Sequence, residues 1–175
     1  LASMGADMAI DYDEFRRFMD VMITSNKGDH FNTLGLRVER VDERGVCMSM
    51  GYAEGLIGDP ETGVIHGGAI TALLDTCSGF AAATALDDLG MTPTIDLRID
   101  YMRPATVGRM VYADAEVYRV TESVIFTRGI AHHGDFERPI AASVGNFFRL
   151  ESSTFDELRR EFRESQRQHR ENGRG

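Results

Sequence analysis

The segment Gly63-Val64-Ile65-His66-Gly67-Gly68 runs directly into a long apolar stretch that carries one carboxylate, Asp75. Two adjacent glycines at a helix start leave the first backbone N–H groups without intrahelical acceptors, and their missing side chains let a ligand oxygen come close. That is the chemistry of an oxyanion site. Asp75 follows two turns later, among Ala69, Ile70, Leu73, Leu74, Phe80, Ala81 and Ala82. An unpaired carboxylate buried there would cost on the order of several kcal/mol unless it faces a polar cavity or changes its pKa, so Asp75 is expected to have a functional role. The alternative is a carboxylate satisfied by threonine or backbone partners. For His66 the expectation is a bond to nearby backbone that holds the turn, with a direct catalytic role as the alternative.

These groups need a frame, and the apolar periodicity supplies one. Asp11 to Thr24 reads as an amphipathic helix through Phe15, Phe18, Met19 and Met22. Leu34–Val41 and Val46–Tyr52 read as a hairpin turning at Asp42-Glu43-Arg44-Gly45, and Gly55 to Gly63 as a loop rich in breakers. The stretch from Ala69 to Leu86 is apolar around nearly its whole circumference, which predicts a helix buried on all sides. Thr71, Asp75, Thr76, Ser78 and Gly79 inside it argue against a membrane span. Thr94–Tyr101 alternates strictly, and the face of Ile95, Leu97, Ile99 and Tyr101 is expected to meet the core. Met110–Val120, Ser123–His133 and Ile140–Leu150 read as a meander, and Phe155–Arg170 as a charged helical tail that packs weakly. The fold class is α+β: an antiparallel sheet of about six strands wrapped around one central apolar helix. Residues 1–29 form an N-terminal segment, 30–151 the domain and 152–175 the tail.

A chain of 175 residues, 42% hydrophobic and 27% charged, is expected to fold as one globular domain. Its formal net charge of -9 argues against nucleic acid as a partner. Cys47 and Cys77 have no metal-site or CxxC spacing, so neither a disulfide scaffold nor a zinc site is supported; both are read as small buried hydrophobes. With no secretion-signal pattern behind Leu1-Ala2-Ser3-Met4, the cytoplasm is the expected compartment. His132 and His133, adjacent on a strand, face opposite ways and are read as ordinary strand positions.

Taken together, G-x-x-H-G-G at 63–68, A-I-T-A-L-L-D-T-x-S-G at 69–79 and T-I-D-L-R-I-D-Y-M-R-P-A at 94–105 resemble the hotdog-fold acyl-CoA thioesterases of the phenylacetate-pathway (PaaI-like) type. The resemblance runs from about Leu34 to Leu150. It implies an acyl-CoA substrate, no metal or redox cofactor, and homodimers joined sheet edge to sheet edge, often paired into tetramers, with sites at the subunit interface. It places Asp75 on the catalytic carboxylate, Gly67 and Gly68 on the glycines whose amides polarise the thioester carbonyl, and Thr94 near the nucleophilic water. Where many members have Asn-Pro, this chain has Asp59-Pro60. Asp59 either shares a pocket with Asp75, where repulsion raises the pKa of one of them, or caps a solvent-facing turn. Arg103, Arg109, Arg119 and Arg128 are candidates for the CoA phosphates, with solvated strand-end arginines as the alternative. Leu56, Ile57, Phe80 and Met91 suit either an aromatic or a medium aliphatic acyl group. Two other functions fit the same frame: an acyl-thioester hydratase or dehydratase using His66, and a non-catalytic acyl-CoA-binding module in which Asp75 is structural.

Overall fold

The computed structural model describes residues 11–24 and 29–150 together with positions 156, 160, 163, 164 and 167, so most of the expected tail helix lies outside the described residues. The Asp11 carboxylate accepts the N–H groups of Asp13 and Glu14 and starts α1 (Tyr12–Thr24), which buries Phe15, Phe18, Met19 and Ile23. A second helix, α2 (His30–Leu34), follows, where the sequence pattern marks no element before the strand at Leu34. Asp29 caps it, and Gly35, at φ 64°, ends it in the left-handed conformation that favours glycine. The hairpin β1 (Leu36–Asp42) and β2 (Gly45–Met50) comes next. The expected loop at 55–63 is more ordered than its breakers imply. It holds a 3-10 turn at Glu54–Leu56 and a small ribbon of β3 (Ile57–Asp59) with β4 (Val64–Ile65), leading into α3 (Gly67–Ala83).

The remaining strands are β5 (Thr94–Tyr101), β6 (Val111–Val120), β7 (Val124–His132) and β8 (Ala141–Phe148). They complete a six-stranded sheet of order β1-β2-β6-β7-β8-β5, antiparallel at every pairing. Helix α3 packs chiefly on the middle strands β2, β6 and β7. Leu73, Leu74 and Cys77 meet Val46, Met48, Val111 and Ala113 in one core that also takes in the buried face of α1.

Two expectations fail for one geometric reason. Helix α3 sits over the middle of the sheet, so it is not enclosed on every side: Thr71, Ala72, Asp75, Thr76 and Gly79 keep partial exposure. Strand β5 lies at the sheet edge, paired only with β8, and its apolar face meets the core only in part: Leu97 and Ile99 are half-buried and Ile99 packs against the main core, whereas Ile95 is 44% and Tyr101 51% exposed. Cys77 is buried as expected, whereas Cys47 is half-buried, and both are free thiols. Among the described residues no helix is long and apolar enough to cross a membrane.

Candidate active site

The approach to α3 is fixed bond by bond. The His66 N–H donates to Leu56 O at 2.8 Å, pinning the helix start to the 3-10 turn. Gly58 passes so close that a Cβ there would lie 2.7 Å from the His66 Cα, so only glycine fits. His66 is the N-cap: its Nδ1 accepts the Gly68 N–H at 2.9 Å, and its carbonyl accepts the Ala69 N–H at 3.0 Å. The ring therefore sits against Gly68, where a Cβ would stand 2.9 Å from Nδ1. Of the two glycine amides expected to face a ligand, Gly68 is thus already engaged. The Gly67 N–H meets no protein acceptor among the described residues.

Tyr101, on β5, was not singled out by sequence reasoning. Its hydroxyl donates to Gly67 O at 2.6 Å and lies 2.6 Å from Thr71 Oγ1, which is itself 3.2 Å from the same carbonyl. The peptide linking Gly67 to Gly68 is held at its carbonyl by Tyr101 and at its N–H by His66. Beside it, Gly67, Ile65, Ile70, Tyr101 and Arg103 line a cavity of about 360 Å³.

Asp75 lies further along α3 and accepts the Thr94 hydroxyl at 2.9 Å. Both residues line a second cavity, of about 410 Å³, whose other walls are mainly apolar: Phe31, Phe80, Ala83, Met91 and Pro93. Eight residues separate Gly67 from Asp75, about 12 Å of helix rise. A thioester carbonyl held by an oxyanion donor at about 3 Å and attacked from about 3.5 Å spans only about 8 Å end to end. That span is shorter than the rise from Gly67 to Asp75 within one chain.

Within one chain Asp59 is not brought to Asp75. It faces solvent, accepting Thr62 Oγ1 at 2.6 Å and the Glu61 N–H at 3.1 Å. The Thr62 hydroxyl, with help from backbone N–H groups, holds its carboxyl below the usual range instead of above it. Among the arginines, Arg103 alone lines the cavity beside Gly67, and it donates to the carbonyls of Arg138 and Pro139. Arg109 donates to His133 O at 2.9 Å, Arg128 pairs with Glu116, and Arg119 lies exposed on β6.

His132 and His133 are more than strand filler. His133 is buried, accepting the Thr106 N–H at Nε2 and facing Met110 O with Nδ1; burial pushes its pKa below the ordinary value, against the bond to Met110. His132 Nδ1 accepts the Gly134 N–H, so Nε2 carries the proton toward Asp114 Oδ2 at 2.9 Å. Asp114 also accepts from Arg40 at 2.7 Å. Burial raises the Asp114 pKa, but the bonds from His132 and Arg40 outweigh it and leave it lowered. Beside this carboxylate, burial first and Asp114 second push the Cys47 thiol up to about 12. Ala113 and Ala115 point into the core, so Asp114 belongs to the opposite sheet face and this cluster is separate from Asp75.

Residues 62–140 match the thioesterase superfamily. A Pseudomonas aeruginosa protein of known crystal structure is 47% identical, covers 79% of this chain and 98% of its own, and superposes with a TM-score of 0.68. The medium/long-chain acyl-CoA thioesterase YigI of Salmonella typhimurium is 28% identical over 115 residues, 58% of this chain and 74% of that protein. The phenylacetic acid degradation protein PaaI of Thermus thermophilus, solved in a mutant form, shares the fold at 24% identity and a TM-score of 0.59, over 68% of this chain and 96% of its own.

Proposed function

This chain belongs to the thioesterase superfamily, and from that premise we propose that it hydrolyses an acyl-CoA thioester to the free acid and CoA, with Asp75 as general base or nucleophile. The observation that carries this reading is a carboxylate, steadied by Thr94, at the edge of an otherwise mainly apolar cavity of about 410 Å³. An acyl chain occupies the apolar part, and its thioester carbon lies at Asp75. Either the carboxylate attacks that carbon, the C–S bond breaks, CoA leaves as a thiolate that takes a proton from water, and a second water splits the resulting mixed anhydride into free acid and regenerated Asp75; or the carboxylate takes a proton from a water that attacks, and passes it to the sulfur as the C–S bond breaks. The developing oxyanion is held by the Gly67 N–H, preorganised because the preceding His66 carbonyl is tied to Ala69. No step calls for a metal or an organic cofactor.

The helix rise of about 12 Å over the eight residues from Gly67 to Asp75 in one chain supports a shared site. We propose a homodimer, or a dimer of dimers, in which one copy supplies Asp75 and its neighbour the α3 N-terminus. The exposed apolar edge of β5, with Ile95, Tyr101 and Met102 uncovered, supports such an assembly. Arg103, beside Gly67, is the arginine best disposed toward the CoA phosphates. The name of the YigI relative favours a medium or long acyl group.

A hydratase reading would need His66 as an acid or base, yet its Nδ1 is occupied as a helix cap. The test is a panel of acyl-CoA esters, followed by CoA release in the presence of a chelator, for wild type and Asp75→Asn. Hydrolysis by wild type, and a fall of about 10²-fold or more in the variant, is the expected result. Undiminished turnover in Asp75→Asn would sink the assignment. CoA binding without turnover in either protein would instead identify a binding module.

A further inference from the structure

Of the two helices ahead of the segment matched to the family, α2 supplies one wall residue of the Asp75 cavity, Phe31. Helix α2 is short, but it is held firmly. The Asp29 carboxylate accepts the Asn32 N–H at 2.9 Å, and the Asn32 side-chain amide donates to Ile23 O at 2.7 Å, which ties α2 to the last turn of α1. Gly35 closes its C-terminus through bonds to the Asn32 and Phe31 carbonyls. Helix α1 is itself anchored in the main core through Phe15, Phe18, Met19 and Ile23. The backbone of Phe31 is thus fixed relative to α3.

Its half-buried ring tilts against Phe80, with centroids 6.4 Å apart. Phe80 lies five residues beyond Asp75, about 7.5 Å along the helix axis. An acyl chain whose thioester sits at Asp75 and which runs along α3 meets the Phe31–Phe80 pair after that distance. Phe80 is part of the buried core, 6% exposed, and cannot change without repacking α3. Phe31 projects from a separate element.

We propose that Phe31 sets the length of acyl chain this protein accepts, so that the N-terminal helices determine its substrate class. The proposal rests on the acyl-CoA reading above and extends it to medium-length linear chains. The competing role, simple packing between α2 and α3, predicts lower stability but no change in preference between chain lengths.

The test uses full-length wild type, Phe31→Ala and Phe31→Trp. Each is titrated calorimetrically with a series of non-hydrolysable S-alkyl-CoA thioethers of increasing chain length, and kcat/KM is measured for the matching acyl-CoA esters. Each additional buried methylene tightens binding about fourfold. In Phe31→Ala the optimum moves to longer chains, and the preference for a chain two methylenes beyond the wild-type optimum rises roughly tenfold or more. In Phe31→Trp the optimum moves to shorter chains. Unchanged chain-length profiles overturn the proposal, and if the alanine variant does not fold, an unshifted tryptophan profile does so alone. Shifted thioether binding with no ester turnover would remove the hydrolase reading and keep Phe31; turnover with unshifted profiles would do the reverse.

Discussion

Replacing Gly67 with proline deletes the Gly67 N–H and disturbs little else. Position 67 opens α3, where proline's missing N–H breaks no intrahelical bond. The residue before it must be extended, and His66 already sits at φ -61°, ψ 133°. The steric cost of a Cβ is shared with any side chain: a Cβ at 67 stands 3.3 Å from the Tyr101 hydroxyl oxygen. Gly67→Ala carries that contact and keeps the N–H, so the ratio between the two variants isolates the donor. Losing one oxyanion-hole donor lowers kcat by about 10² to 10³, or roughly 2.7–4 kcal/mol. Because that bond strengthens as charge develops, KM changes far less than kcat. CoA release can be followed with a thiol reagent, since the Cys47 thiol is raised to about 12 and Cys77 is buried, keeping the protein's own signal low. A folded Gly67→Pro enzyme within about threefold of Gly67→Ala would refute the role given to this amide.

The solvent-facing position of Asp59 predicts superimposable pH–rate profiles for wild type and Asp59→Asn; an extension of activity to higher pH in the variant would return Asp59 to the site. Acid stability should fall in two windows, read as thermal midpoint against pH. His133 has a lowered folded pKa, so its contribution is complete above its unfolded value near 6.5 and declines as pH falls below it. Asp114 is also lowered, so its contribution is complete above its unfolded value near 3.8 and is lost as pH falls through the folded pKa. An Asp114→Asn variant with the wild-type slope below about pH 4 would contradict this assignment.

The parts of the fold that were legible are those whose burial follows from their own pattern. Strands β6, β7 and β8 alternate because α3 covers one face, and the glycines before α3 announce a helix start that must come close to something. Strand β5 carries the same alternation, yet its apolar face is covered only in part. A pattern of period two records a face that requires cover without recording what provides it. Helix α2, five residues long, is too short for any periodicity to mark it. The site divides in the same way. Asp75 and Gly67 stand out by residue type, and Thr94 by the family resemblance. Tyr101 meets Gly67 O across 34 positions of sequence, His132 meets Asp114 only through the β6–β7 register, and Phe31 reaches the cavity only because Asn32 ties α2 to α1. Such contacts are properties of the assembled chain.

The shared site is tested most directly by subunit complementation between Asp75→Asn and Gly67→Pro. Each variant alone lacks one half of every site and should be nearly inactive. Co-expressed with different affinity tags and purified as mixed dimers, they place the intact Gly67 of one copy against the intact Asp75 of the other. One site in each mixed dimer is whole, so activity returns to about half the wild-type rate per dimer. Mixed dimers no more active than either parent would contradict a site built from two copies of this chain.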